Sequence, residues 1–267
     1  MKNYDTNYRK IGIVAAVAIA IAAMMIPGAS LVSTAFAHSS GKVSGSGNVQ
    51  QSITQSNSVS ASNSGSGGSA SADLNTQSNS AANIASVDIH NHGGGKIKDS
   101  GNVLQAIGQS NSITATNTGN GGSASADLNT QSNSAANIAS VDISNHGGYH
   151  GGKIKDSGNV LQSIGQSNSI TATNSPPPTL LACLIGINCG SASADLNTQS
   201  NSAANIASVD IHNHGGTIKD SGNVAQLIAQ ANSINATNTG SFGSASADLN
   251  SQNNTAINFA DVHIGNH

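Results

Sequence analysis

The sequence contains no Trp, three Tyr, three Phe and only 8% charged residues across 267 positions. An enzyme-like globular core of this length needs many more large side chains to offset the entropy of ordering the chain. Scarce charge excludes further classes. Glu is absent, and beyond residue 37 no Arg remains, leaving six Lys against eleven Asp. With no Lys/Arg stripe to neutralise phosphates, nucleic acid is not an expected partner. Disorder fits poorly too: it goes with high net charge, Pro and Glu, whereas Pro occurs only at Pro27 and in the run Pro176–Pro178. The sequence shows no nucleophile–base–acid set, phosphate loop or dinucleotide glycine motif, so an enzyme is not expected and no cofactor is required.

What is present begins with an export signal. Lys2, Arg9 and Lys10 precede an apolar run from Ile11 to Ile26, which Pro27-Gly28 ends. Ala35-Phe36-Ala37 then supplies a small-x-small cleavage site, so residues 1–37 read as a secretory signal peptide and 38–267 as the mature chain. The run of 16 is shorter than the ~20 residues a membrane span needs, and the mature chain offers no other. The expected location is secreted, extracellular or cell-surface, with no membrane partner once the signal is cut.

Repetition organises the remainder. Ser-Gly-Asn-Val recurs at Ser46, Ser100, Ser157 and Ser221, and Ser-Ala-Ser-Ala-Asp-Leu-Asn begins at Ser69, Ser123, Ser191 and Ser244. This defines four units of about 54 residues, near 42–95, 96–152, 153–216 and 217–267. The third is enlarged by an insertion at 175–189. Each unit holds two Gln-Ser-Asn-Ser cores or degraded versions, starting at Gln55, Gln77, Gln109, Gln131, Gln166, Gln199, Gln230 and Gln252. Eight half-repeats result.

The local period is two. Val103, Gln105, Ile107, Gln109, Asn111, Ile113, Ala115 and Asn117 share one parity, and small residues fill the other. That alternation places them on one face of a β-strand, with Gly- and Asn-rich turns such as Thr118–Gly122 between strands. A buried face mixing Ile with Gln and Asn leaves amides without partners in a sandwich. It becomes favourable when copies stack in register, so that each amide bonds its equivalent one rung away. The expected ladders run through Gln51, Gln55 and Asn57; Gln77 and Asn79; Gln105, Gln109 and Asn111; Gln131 and Asn133; Gln162, Gln166 and Asn168; Gln199 and Asn201; and Gln226, Gln230 and Asn232. The fold class is therefore all-β, a β-solenoid or stacked β-arch. One rung per half-repeat gives eight rungs, a body of about 38 Å. Four longer coils fit the spacing nearly as well.

Segments such as Gln105-x-Ile107-x-Gln109-Ser110-Asn111-Ser112-Ile113-x-Ala115, with cores 22 residues apart behind a signal peptide, resemble the curlin repeats of curli amyloid fibre subunits. The resemblance spans most of 42–264 as pattern. One departure is that a single residue separates Gln109 from Asn111 where curlin repeats place a Gly-containing turn. The resemblance implies a secreted β-solenoid polymerising end to end into amyloid-like surface fibres of a biofilm matrix, with a nucleator or envelope component as a further partner. The repeats point the same way, because a solenoid end exposes unpaired backbone groups, and no helix or charged cap is apparent between His38 and Ser46 or after Ile264.

Other groups carry alternatives. Asp88-x-His90-x-His92 and Asp210-x-His212-x-His214 each place their trio on one strand face, with His146 in the corresponding stretch between them. Imidazole and carboxylate so spaced can ligate Cu²⁺, Zn²⁺ or Ni²⁺, or simply form a solvated edge. The Asp-Leu-Asn copies at Asp73, Asp127, Asp195 and Asp248 lack the distal Glu of a calcium loop and are expected at corners or facing water. Thr114-x-Thr116 and Thr171-x-Thr173 offer an ice- or glycan-binding face on two of the four units. Cys183 and Cys189, in an exported chain, are expected to form a local disulfide within the apolar insertion. The leading expectation is a self-assembling fibre protein; the alternative is a monomeric extracellular binding module.

Overall fold

The structure, a computed structural model, describes residues 29–39, 41–93, 95–146, 152–175, 190–239 and 243–266. The insertion, with Cys183 and Cys189, and residues 1–28 of the signal segment lie outside the described residues, and so does the expected disulfide; the expected cleavage site at Ala35–Ala37 falls among the described residues, in the first strand.

The first strand is β1 (Ala29–Ser39). The repeats follow as four coils, each with the order short, long, short, long. The first coil is β2 (Val43–Ser44), β3 (Val49–Asn63), β4 (Ala70–Ser71) and β5 (Thr76–Asn91); the second is β6 (Lys96–Lys98), β7 (Val103–Asn117), β8 (Ala124–Ser125) and β9 (Thr130–Asn145). The third is β10 (Gly152–Lys155), β11 (Val160–Asn174), β12 (Ser191–Ser193) and β13 (Thr198–Asn213); the fourth is β14 (Gly216–Lys219), β15 (Val224–Asn238), β16 (Ser244–Ser246) and β17 (Ser251–Asn266). Four parallel sheets result, in the orders β3-β7-β11-β15, β1-β5-β9-β13-β17, β2-β6-β10-β14 and β4-β8-β12-β16. The two half-repeats of a unit thus lie on opposite walls of a single coil. The chain is a β-solenoid of four rungs, and the eight-rung reading is replaced.

Like stacks on like. Gln105 pairs with Gln51 on one side and Gln162 on the other, and Ile107 with Ile53 and Ile164. The 54-residue spacing fixes this register, since a slip of one residue would turn the inward set outward. The alternation read from sequence points inward as expected: Val103, Gln105, Ile107, Gln109, Asn111, Ile113, Ala115 and Asn117 are all buried. Three apolar clusters fill the interior. One joins Val87, Ile89, Ile97 and Val103 across the coils; a second holds Ile113, Ala115 and Ala126; a third, Ile107 with Ala135. Layers of amides separate them.

Corners close each coil through left-handed residues. Gly47, Gly101, Gly158 and Gly222 have φ of 68 to 71°. A Cβ at Gly101 would lie 3.2 Å from the Ile89 and Ile143 side chains, so glycine is required by both backbone and packing. At the opposite corners, Leu74, Leu128, Leu196 and Leu249 hold φ of 53 to 57°.

Candidate functional site: the amide ladders and the histidine edge

Every inward Gln of the interior coils donates both ways, one N–H along the stack and one across it. Gln105 Nε2 reaches Gln51 Oε1 at 2.8 Å and the Ile138 carbonyl of the facing wall at 3.0 Å. Gln162 repeats this on Gln105 and Ile206, at 2.9 Å for both. Gln131 and Gln199 continue a second column from Gln77, with bonds of 2.9 and 3.0 Å. The Asn columns bridge the half-repeats as well: Asn111 Nδ2 contacts Asn133 Oδ1 across the core and Asn168 Oδ1 along it, each at 3.1 Å. A buried amide that fills its hydrogen-bonding capacity avoids the penalty of an orphaned polar group. The sequence-predicted ladder residues are thus brought together in columns.

The columns have a direction that the sequence did not disclose. Gln amides donate toward the N-terminal coil, as in Gln109 to Gln55 and Gln230 to Gln166. The inward Asn amides of the long strands donate toward the C-terminal coil, as in Asn79 to Asn133, Asn83 to Asn137 and Asn205 to Asn258, whereas the corner Asn159 and Asn223 donate the other way. The two ends of the stack therefore differ. The first coil presents Asn carbonyl oxygens, and Asn83 Oδ1 is buried with no partner. The last coil presents Asn amides and Gln carbonyl oxygens, on an open rung where Ile257, Phe259, Val262 and Ile264 are 42 to 56% exposed.

The histidines gather along one edge. His92, His146 and His214 occupy equivalent positions and stack with ring centroids 5.6 and 5.1 Å apart, and His90 lies 6.4 Å from His92. Burial and the neighbouring imidazoles, His214 first, hold the His146 ring below the ordinary histidine pKa. His90 Nε2 lies 2.7 Å from Asp88 Oδ1, and His212 Nε2 2.9 Å from Asp210 Oδ1. Asp210, His212 and His263 each offer a ligand atom within 4.8 Å of the other two. Gly265 pairs with His212 in the next strand, leaving that position without a side chain. His263 is 51 residues from His212 in the sequence, and the pairing of β13 with β17 brings it to Asp210 and His212.

The Asp-Leu-Asn copies build a different column at a corner. Asp73 Oδ1 accepts from Ser125 Oγ at 2.6 Å and the Asp127 N–H at 2.7 Å. Asp127 receives Ser193 and Asp195 in the same way, and Asp195 receives Ser246 and Asp248. Burial pushes the Asp73 and Asp195 carboxyls up, but the backbone and seryl donors outweigh it and hold both below the usual carboxylate value. The Thr positions face outward in register, Ser60-Thr114-Thr171-Asn235 and Ser62-Thr116-Thr173-Thr237. Only the two interior coils carry Thr in both columns.

No protein family, curated protein or solved structure matches the chain.

Proposed function

We propose that the protein is a secreted structural subunit whose copies stack end to end into extracellular β-stacked, amyloid-like fibres at the cell surface or in a matrix. The observation that carries this is the complementarity of the two ends. The last coil offers what the first coil lacks, in the register that already joins successive coils. Asn258 Nδ2 has no acceptor among the described residues, and Asn83 Oδ1 has no donor. A contact between unlike ends does not close on itself, so it propagates as a filament. The curlin-like pattern of Gln and Asn supports the same reading. Negative-stain microscopy of the purified chain 38–267 tests it: unbranched filaments with a cross-β reflection near 4.8 Å are expected. A monodisperse, filament-free preparation would overturn it.

A second reading is favoured by one cluster. Asp210, His212 and His263 form a two-imidazole, one-carboxylate set that suits Cu²⁺, Zn²⁺ or Ni²⁺. Titration with each metal, comparing the parent with His212→Ala and His263→Ala, tests it. At least a tenfold loss of affinity in both variants is expected, and unchanged affinity would eliminate the site.

A further inference from the structure

Residues 29–39 lie where a cleavable leader ends, yet they form a strand of the solenoid. β1 pairs in parallel with β5 from Ala29 opposite Ala81 to Ser39 opposite Asn91. The positions it takes are those of the repeat itself. Ala81 is in register with Ala135, Ala203 and Ala256, so β1 sits where Ala256–Asn266 of a preceding coil would sit. The edge of β5 is therefore already occupied, by a strand that is not a repeat.

The fit is poor at the positions that define the repeat. Leu31 lies opposite Asn83, where every other coil supplies Asn137, Asn205 or Asn258. The Leu31 side chain has no N–H to offer, so the buried Asn83 Oδ1 is left without a donor. Ala35 faces Val87, where the other coils place Val141, Val209 and Val262. Val32 and Phe36 are 66 and 74% exposed. Ser33 Oγ meets Gln51 Nε2 at 3.1 Å, standing in for a glutamine carbonyl. Among the described residues, β1 covers β5 only from Ala81 to Asn91, and β3 is the edge of its sheet.

We infer that β1 is a removable cover over the end of the stack, and that the partner replacing it is the β15–β17 rung of a second copy. This rests on the end-to-end reading above. Asn258 Nδ2 of the incoming copy would donate to Asn83 Oδ1. Gln226 and Gln252 carbonyl oxygens would accept from Gln51 and Gln77, and Val262 and Ile264 would cover Val87 and Ile89. Sixteen pairs replace eleven on the β5 edge, and the β3 edge gains fifteen, as between successive coils. Exchange of one edge strand for a better matched one is β-augmentation. The release step is hydrolysis of the Ala37–His38 peptide bond by a leader-processing protease. Water is consumed, an Ala37 carboxylate and a His38 amino group are left, and nine of the eleven β1 residues depart with the leader. Polymerisation is thereby coupled to export.

The test follows filament growth of the chain 38–267, with and without an excess of a synthetic peptide of residues 29–39. At least a tenfold slowing by this peptide is expected, and no effect from a scrambled one. Asn258→Asp supplies a second arm. It keeps the oxygen that accepts from Asn205 but removes the amide aimed at Asn83. It is expected to leave the circular dichroism spectrum unchanged and slow elongation at least tenfold at pH 7. Filaments that grow equally well with the peptide and with Asn258→Asp overturn the cover and the proposed register while leaving self-assembly intact. A chain 38–267 that forms no filaments overturns self-assembly, and this inference with it.

Discussion

At the scale of residues, the amide of Gln105 does what a large apolar side chain does elsewhere: it fixes the position of two walls at once. Its two N–H groups bond the coil below and the wall opposite, and its carbonyl accepts from Gln162. Gln105→Leu is nearly equal in volume but removes three bonds and strands buried partners. It is expected to lower unfolding free energy by about 2–4 kcal/mol, since each unsatisfied buried group costs about 1–3 kcal/mol. Gln226→Leu, in the more open last coil, is expected to cost less than half as much. Urea unfolding of the two variants checks the difference. The corner carboxylates give a pH dependence with a definite sign. Asp195 has its pKa lowered in the folded state, burial being outweighed by the Asp248 N–H and the Ser246 and Ser193 hydroxyls. Its contribution is fully present above the unfolded Asp value of about 3.9 and is lost as pH falls through the folded value. Asp195→Asn is expected to destabilise the protein by a constant amount above about pH 5, and the gap to the parent should close as pH falls below about 3.9. A gap independent of pH would assign the effect to packing instead.

At the scale of elements, the long strands and the turn positions were legible in the sequence, and the number of coils and the left-handed leucines were not. Alternation of Ile, Gln and Asn with Ser and Ala states which face is buried, and the 54-residue spacing states which residues stack. The number of coils could not be read the same way. The spacing of half-repeats is equally compatible with each one closing its own rung or with two sharing a coil. The deciding elements are short strands such as β2 and β4, two residues each, too brief to carry a period. The left-handed leucines were illegible for a different reason: Leu is disfavoured at positive φ, so no propensity marks it. Leu128 has φ of 56° and is 49% exposed, which yields little burial in return for the strain. Leu128→Gly is expected to raise stability by about 0.5–1 kcal/mol, the relief of a roughly 1–2 kcal/mol left-handed penalty minus the larger unfolded-state entropy of Gly. Thermal unfolding checks it, and a fall in midpoint would show that the leucine column makes contacts that outweigh its backbone cost.

At the scale of the molecule, the scarcity of aromatic and charged residues and the direction of the ladders act together. Each coil needs few bulky groups because its neighbours complete it, so an unpaired terminal coil is the least satisfied part of the structure. Within the long strands, the inward Asn columns donate toward the C-terminal coil and the Gln columns toward the N-terminal coil. Two last coils placed face to face would set Asn amide against Asn amide and Gln carbonyl against Gln carbonyl, with the strands antiparallel. Two first coils would meet with the opposite mismatch. Only unlike ends satisfy both columns, so filaments of this protein are expected to be polar, with no two-fold axis across them. Each molecule should add four rungs, an axial rise of about 19 Å at ~4.8 Å per rung. Helical reconstruction by cryo-electron microscopy measures the rise, and a gold-labelled tag after His267 should mark one tip of each filament and not the other. Label at both tips, or a rise matching eight rungs, would show that the coils do not continue from one molecule to the next in the register they keep within it.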